Sequence, residues 1–121
     1  MSLIVQKFGG TSVGDIARIE QVADQAAEGL DDVKESLARV VPSLSEQVDV
    51  VVGLLHLSPG DARRIVDEQP GMDVVVVGHN PGYMFNPDRI GETLMIRPGN
   101  RGQYLSVLEL TLDETGAITD Y

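Results

Sequence analysis

The apolar and polar residues of this chain follow two spacings, one typical of strands and one typical of helices. A short apolar run over Leu3–Phe8 ends at a Gly-Gly pair, which predicts a buried strand followed by a tight turn. From residue 16 to residue 26 apolar residues recur at helical spacing, with charged residues between them. Ser12 is the predicted N-cap of this helix and Gly29 its C-terminal stop.

A second amphipathic helix is predicted to start at Asp31 or Asp32. Its apolar residues recur at helical spacing and form one face: Val33, Leu37, Val40, Val41 and Leu44. Pro42 lies inside this pattern. Because proline lacks an N–H and its ring clashes with the preceding turn, it predicts a kink or a break in the helix.

The second half of the chain predicts a strand-helix-strand unit. Residues 48–55 are almost continuously apolar, which is typical of a strand covered on both faces. Ser58 followed by Pro59 is a helix-start signal, and residues 72–77 form another apolar run. Two such strands joined by a helix predict a right-handed parallel crossover.

The remaining residues predict a long loop over residues 80–93 and strands over residues 94–97, 104–112 and 117–121, which we expect to be antiparallel. The whole pattern predicts one α/β domain over residues 1–121. We expect a single-domain layered sandwich with a mixed sheet, in the order βααβαβββ. The sheet is expected to have a parallel strand-helix-strand core and antiparallel C-terminal strands.

The chain is acidic: 19 Asp and Glu residues against 9 Lys and Arg residues give a formal net charge of −10. This balance argues against binding to nucleic acid or to an anionic membrane, since both need clustered basic residues. Cysteine is absent, which excludes disulfides and cysteine-based zinc sites. The chain has no apolar run of membrane-spanning length and no signal-peptide layout, so we expect a soluble cytoplasmic protein.

The turn after the first strand has the composition of a phosphate-binding loop. Gly9 and Gly10 would let backbone N–H groups approach a phosphate, and the following helix terminus would add positive potential. Lys7 could supply a full charge, and Thr11 and Ser12 could donate hydrogen bonds. Many strand-to-helix turns contain Gly-Gly and bind nothing, so the pattern alone leaves a purely structural turn open.

The exact amino-acid sequence of this segment is more specific than its pattern of residue types. LIVQKFGGTSV followed by IARIEQVA resembles the N-terminus of aspartate kinases of the amino-acid kinase superfamily, over about residues 2–27. The resemblance implies that Lys7 and the Gly9-Gly10 loop contact ATP phosphates, with Thr11 and Ser12 near the active site. The later motifs of that family, for aspartate and for the nucleotide, are not found in this chain.

Both histidines follow predicted parallel strands. His56 comes after VDVVVGLL and His79 after MDVVVVG, so each stands at the carboxyl end of its strand. Ligands of open α/β sheets bind at that edge, and histidine there can ligate a metal. A half-exposed histidine with one hydrogen bond is the alternative for each.

Residues 31–121 resemble the C-terminal part of the catalytic domain of calcineurin-like metallophosphoesterases, in particular 5′-nucleotidases. The matching pieces are VDVVVGLLHL, GMDVVVVGHN, RPGNRGQYLSVLELTLD and GAI. The resemblance implies a weakly bound divalent metal, Zn, Mn or Mg, with His56 and His79 as ligands. Asp61 is the predicted third ligand. The second histidine of the family's Gly-His-x-His motif is replaced by Pro81, and the family's N-terminal motifs are missing.

Two resemblances that meet near residue 30 predict a chimeric or engineered chain, kinase-like over residues 1–28 and phosphoesterase-like over residues 29–121. We expect a folded domain with no complete natural active site, and no catalytic residue is assigned. A metal-dependent phosphoesterase with a reduced site is one alternative. A nucleotide- or phosphate-binding module that uses the KFGGTS loop is the other. An exposed sheet edge predicts self-association as a homodimer.

Overall fold

The computed structural model describes residues 3–8, 29–79 and 82–121, with the backbone alone for residues 3–8. The predicted helix over residues 16–26, the loop residues Gly9, Gly10, Thr11 and Ser12, and Pro81 lie outside the described residues. The elements in chain order are β1 (Leu3–Phe8), α1 (Leu30–Ser45), β2 (Val50–Leu55), α2 (Pro59–Glu68), β3 (Val74–Val77), β4 (Asp88–Ile90), β5 (Thr93–Ile96), β6 (Thr111–Leu112) and β7 (Ile118–Asp120).

Five strands form one mixed sheet in the order β1-β2-β3-β5-β4. The first four of these are parallel to their neighbours, whereas β4 is antiparallel to β5. The register aligns Phe8 with Leu55 and Leu55 with Val77. The predicted α/β class and mixed sheet are therefore confirmed, and the first strand joins the parallel part of the sheet.

The helix α1 buries one face along its whole length: Val33, Leu37, Val41 and Leu44. The helix continues through Pro42 to Ser45, so the predicted break does not occur. The buried residues on either side of the proline, Val41 and Leu44, hold the last turn in the core. Neither helix of the described residues is long and apolar enough to cross a membrane.

The helix α2 begins where the sequence predicts. Ser58 is its N-cap and Pro59 its first residue. The Asp61 N–H donates to the Ser58 hydroxyl over 3.2 Å, which satisfies one of the backbone donors that a helix start leaves unpaired. Its buried residues are Ala62, Ile65 and Val66.

The core lies between one face of the sheet and the two helices. Val51 and Leu55 of β2, Val75 and Val77 of β3 and Met95 of β5 are buried in one cluster with residues of α1 and α2. Gly53 lies on the same face, and a Cβ there would come within 2.7 Å of the Met72 sulfur. The other face carries the buried Val74 and Leu94.

The C-terminal residues depart from the predicted strand bounds. The strand β4 lies inside the predicted loop over residues 80–93, and β5 is parallel to β3 as well as antiparallel to β4. The predicted strand over residues 104–112 is reduced to Thr111–Leu112, which pairs with β7 in a separate two-stranded sheet. In the described part of the chain the preceding residues have no strand partner, and Leu105 and Val107 are 88% and 78% exposed. Self-association through an exposed sheet edge stays a prediction.

A cluster of ion pairs joins the two helices. Lys34 of α1 pairs with Glu68 at the end of α2, and the Arg64 guanidinium donates to the same carboxylate over 2.8 Å. The hydrogen bonds from Lys34 and then from Arg64 lower the pKa of Glu68 from its ordinary value of 4.5. The ionised form of Glu68 is therefore favoured by folding.

We expect Leu37→Ala to lower the free energy of unfolding by about 2–5 kcal/mol, because Leu37 is fully buried between α1 and the sheet. Leu105→Ala removes the same atoms from a side chain that is 88% exposed, and we expect a change within about 0.5 kcal/mol. Urea unfolding of both variants and the unaltered chain measures the difference. Equal losses would contradict the assigned core.

We expect Glu68→Gln to destabilise the fold at neutral pH and to lose that effect in acid. Because folding lowers the pKa of Glu68, its contribution is present above the ordinary value and disappears as the pH falls through the folded value. Urea unfolding between pH 7 and pH 3 should show the two stability curves converging at low pH. Glu35→Gln, an exposed change in α1, serves as the control and should follow the unaltered curve.

Candidate functional site

The two histidines meet at the carboxyl edge of the sheet. His56 directly follows Leu55, the last residue of β2, and His79 follows β3 after one glycine. The His56 Nε2 and His79 Nδ1 atoms lie 3.0 Å apart, at hydrogen-bond distance. The ring centroids are 4.8 Å apart and the ring planes are inclined at 75°. The structure therefore brings together both histidines that the sequence singled out.

The backbone after β3 is shaped around this pair. The Gly78 N–H donates to the Leu55 carbonyl over 2.9 Å, which extends the pairing of β2 and β3 by one bond. His79 then takes a φ of +83°, a left-handed conformation that costs a non-glycine residue about 1–2 kcal/mol. This strain, which the sequence did not reveal, accompanies the placement of the His79 ring against His56.

The hydrogen bond sets what the pair can offer a ligand. When both rings are neutral, one of the two nitrogens in the hydrogen bond carries the proton and the nitrogen of the other ring accepts it. The nitrogens outside the bond are His56 Nδ1 and His79 Nε2. One of these then carries a proton and the other a lone pair, whichever tautomers are present. The pair can thus donate one hydrogen bond to an anion and accept one from a hydroxyl.

The third predicted metal ligand has another role. The Asp61 carboxylate accepts a 2.6 Å hydrogen bond from the Ser58 hydroxyl within the N-cap of α2. No group of three or more His, Asp or Glu side chains among the described residues is arranged to hold a metal ion. A metal site formed by His56, His79 and Asp61 stays a prediction.

The end of β1 lies at the same edge. Because β1 is parallel to β2, Lys7 stands at the register position of Leu54, and Phe8 at that of Leu55. Lys7 is thus the next-to-last residue of a strand that ends level with β2, two register positions before His56. Gly9, Gly10, Thr11 and Ser12 follow Phe8 in sequence and are not among the described residues. Their predicted contact with phosphate stays a prediction.

Sequence reasoning missed Arg97, which occupies the equivalent place on the next parallel strand. It directly follows Ile96, the last residue of β5, and Ile96 is aligned with Val76 of β3. Its guanidinium lies against Gly82, where a Cβ would be only 2.2 Å from Nη2. The position of Arg97 at the end of the predicted strand over residues 94–97 was the signal that could have identified it.

The two edges of the sheet carry opposite charges. At the amino edge an acidic residue precedes each of β2, β3 and β5: Asp49, Asp73 and Glu92. At the carboxyl edge a basic residue stands at the end of each parallel strand: Lys7, His56, His79 and Arg97. The carboxylate of Asp88, which starts β4 beside the end of β5, is paired with Arg63. The carboxyl edge therefore has the chemistry to receive an anion.

Part of the chain is similar to aspartate kinases. It is 41% identical over 76 residues to the aspartate kinase of Pseudomonas fluorescens, a match that covers 63% of this chain and 17% of the relative. The aspartokinase of Pseudomonas aeruginosa is 44% identical over 56 residues, or 46% of this chain and 13% of the relative. The aspartokinase of Geobacillus stearothermophilus is 34% identical over 91 residues, or 69% of this chain and 22% of the relative. No protein-family model matches the chain.

These matches extend past residues 2–27. Because 76 matched residues fill 63% of a chain of 121, the match must include residues 46–76 wherever it begins. It therefore covers β2 and α2, reaches Val76 of β3 and includes His56. The resemblance of residues 31–121 to metallophosphoesterases finds no support in these comparisons. The chain spans only 13–22% of the length of these three relatives.

We expect His79→Gly to be more stable than His79→Ala by about 1 kcal/mol, because only glycine adopts a φ of +83° without strain. Both changes remove the imidazole, so the difference isolates the backbone. At Glu35, an exposed residue inside α1, the same comparison should have the opposite sign, with alanine favoured by about 1 kcal/mol. Chemical unfolding measures all four variants. Alanine favoured at both positions would show that His79 is not strained.

Proposed function

We propose that this chain binds the phosphate groups of a nucleotide at the carboxyl edge of its sheet. The observation that carries the proposal is that a basic residue lies at or next to the carboxyl end of each of the four parallel strands. Ligands of open α/β sheets bind in this place. Charged N–H donors from lysine and arginine form strong hydrogen bonds with phosphate oxygens. The proposal therefore joins a general property of the fold to the residues found there.

The opposed charges of the two edges strengthen the proposal. A phosphate at the amino edge would meet the carboxylates of Asp49, Asp73 and Glu92, and like charges repel. At the carboxyl edge the phosphate groups of a nucleotide would lie between Lys7 on β1 and Arg97 after β5, three strand spacings or about 14 Å apart, with the one N–H that the histidine pair has available between them. The Gly9-Gly10 loop follows β1 in sequence and would add backbone donors of the kind that cradle phosphate.

The similarity to aspartate kinases supports the same ligand class. The relatives are kinases by name, and kinases transfer a phosphoryl group. We take from this similarity the phosphate ligand alone. Phosphoryl transfer also requires a positioned acceptor and charge neutralisation around the transferred group. The absence of a complete active site and the chimeric origin both stay predictions.

A metal-dependent phosphoesterase is supported by one observation, the 3.0 Å contact between His56 and His79. Two observations weigh against it. Catalytic zinc sites ordinarily take three protein ligands, and the described residues contain no such group. The Asp61 carboxylate accepts a hydrogen bond from the Ser58 hydroxyl within a helix cap. We therefore place the histidine pair in a phosphate site rather than in a metal centre.

Equilibrium dialysis of the full chain with labelled ATP tests the proposal. We expect Lys7→Ala to weaken binding by about 10-fold or more, since a hydrogen bond to a charged group contributes roughly 1.5–3 kcal/mol. Arg39→Ala removes one positive charge from an exposed position in the middle of α1 and should bind ATP like the unaltered chain. Salt should weaken binding, because exposed charges are screened.

Two results would overturn the proposal. One is the absence of ATP binding by the unaltered chain. The other is equal binding by the Lys7→Ala and Arg39→Ala variants, which would show that only net charge matters. The double variant His56→Ala/His79→Ala extends the test to the carboxyl ends of β2 and β3. It should also weaken ATP binding.

A further inference from the structure

Three aromatic rings gather beside the end of β5. Tyr83 stacks on Tyr104, with ring centroids 4.4 Å apart and planes inclined at 24°. Phe85 packs edge-on against Tyr83 at 4.8 Å and 87°. The chain has only two Phe, three Tyr and no Trp, so these three form most of its aromatic content. Tyr83 and Phe85 belong to one segment and Tyr104 to another, and only the fold brings the two segments together.

Backbone pairing holds this aromatic cluster, Tyr83, Phe85 and Tyr104, at the carboxyl edge. Tyr83 forms an isolated bridge with Pro98, and the Met84 N–H donates to the Arg97 carbonyl over 3.0 Å. The segment over residues 82–85 therefore runs beside the end of β5. This segment continues the antiparallel pairing of β4 with β5, so β5 separates it from β3, and the aromatic cluster is two strand spacings, about 9.6 Å, from the strand that His79 follows.

The exposure of the rings is not explained by packing. Phe85 is 88% exposed and Tyr104 is 54% exposed, whereas the neighbouring Met84 packs against the core. The backbone contacts to Arg97 and Pro98 already hold the segment in place. The Phe85 ring thus presents an open π-face to solvent, which costs free energy unless something covers it.

A positive charge adjoins the aromatic cluster. The Arg97 guanidinium lies against the backbone of Gly82, the residue before Tyr83, at a distance that excludes a Cβ. One end of the carboxyl edge therefore combines flat aromatic faces with a guanidinium. A nucleotide has the matching pair of groups, because its base has a π-face and its phosphates are anionic.

We propose that the aromatic cluster stacks on the base of the bound nucleotide, with Phe85 as its main contact. This inference rests on the proposed binding of phosphate at the same edge. It adds a contact to the base, a group that a nucleoside phosphate has and that inorganic phosphate and polyphosphate lack. Stacking of a base on an aromatic side chain contributes about 1–3 kcal/mol and accepts every base, so no base preference is expected.

Dialysis with two ligands separates the base from the phosphates. For Phe85→Leu we expect ATP binding to weaken by about 10-fold, while binding of tripolyphosphate stays unchanged, because leucine keeps the apolar surface and loses the π-face. Leu105→Ala is the matched control, since Leu105 is also 88% exposed and is not aromatic. It should leave the binding of both ligands unchanged.

The outcomes distinguish the two proposals. If tripolyphosphate binds and Phe85→Leu leaves ATP binding intact, the base contact is overturned and the phosphate site stands. If neither ligand binds the unaltered chain, both are overturned. Sedimentation of the same samples gives a further check: a shift in self-association with both Phe85→Leu and Leu105→Ala would make the aromatic cluster part of a protein contact and overturn base stacking.

Discussion

The parallel pairing of β1, β2, β3 and β5 is the constraint on which the rest of the structure depends. Strands that run in the same direction need a crossover between them, which α1 and α2 supply before and after β2. The same direction also places all four carboxyl ends at one edge. Residues from distant parts of the chain, from Lys7 to Arg97, are thereby placed within four successive register positions at that edge.

Burial of apolar side chains holds that arrangement. The helices cover one face of the sheet, and their fully buried residues Leu37 and Ile65 share a cluster with Val75 and Met95. Close packing leaves no room at Gly53 beside Met72. The ion pairs at Glu68 join the first part of α1 to the end of α2 and add a smaller, salt-dependent contribution.

The acidity of the chain does not forbid an anion site. At about 0.1 M salt, exposed charges are screened beyond about 10 Å, so a phosphate responds to the residues near it and not to the net charge of −10. The fold separates the charges along its strands, with carboxylates before them and basic groups after them. The strained φ of His79 belongs to the same edge, where functional strain is commonly found.

The sequence by itself determined the elements whose signals are local. Apolar runs predicted β2 and β3, Ser58-Pro59 predicted the start of α2, and the strand-end positions of His56 and His79 predicted that they share an edge. Other features depended on distant partners. The helix α1 passes Pro42 because buried residues on both sides of the proline hold it in the core.

Only the tertiary structure decided which segments of the chain pair and which side chains come into contact. Residues 104–112 were predicted as a strand, yet residues 104–110 have no strand partner within the described residues, since pairing requires a second segment at the right distance. The parallel register of β5 with β3 placed Arg97 at the end of the strand next to the one that His79 follows, and the packing of two segments brought Tyr104 onto Tyr83, which contacts Phe85. A local pattern carries no information on such contacts, because they join residues far apart in sequence.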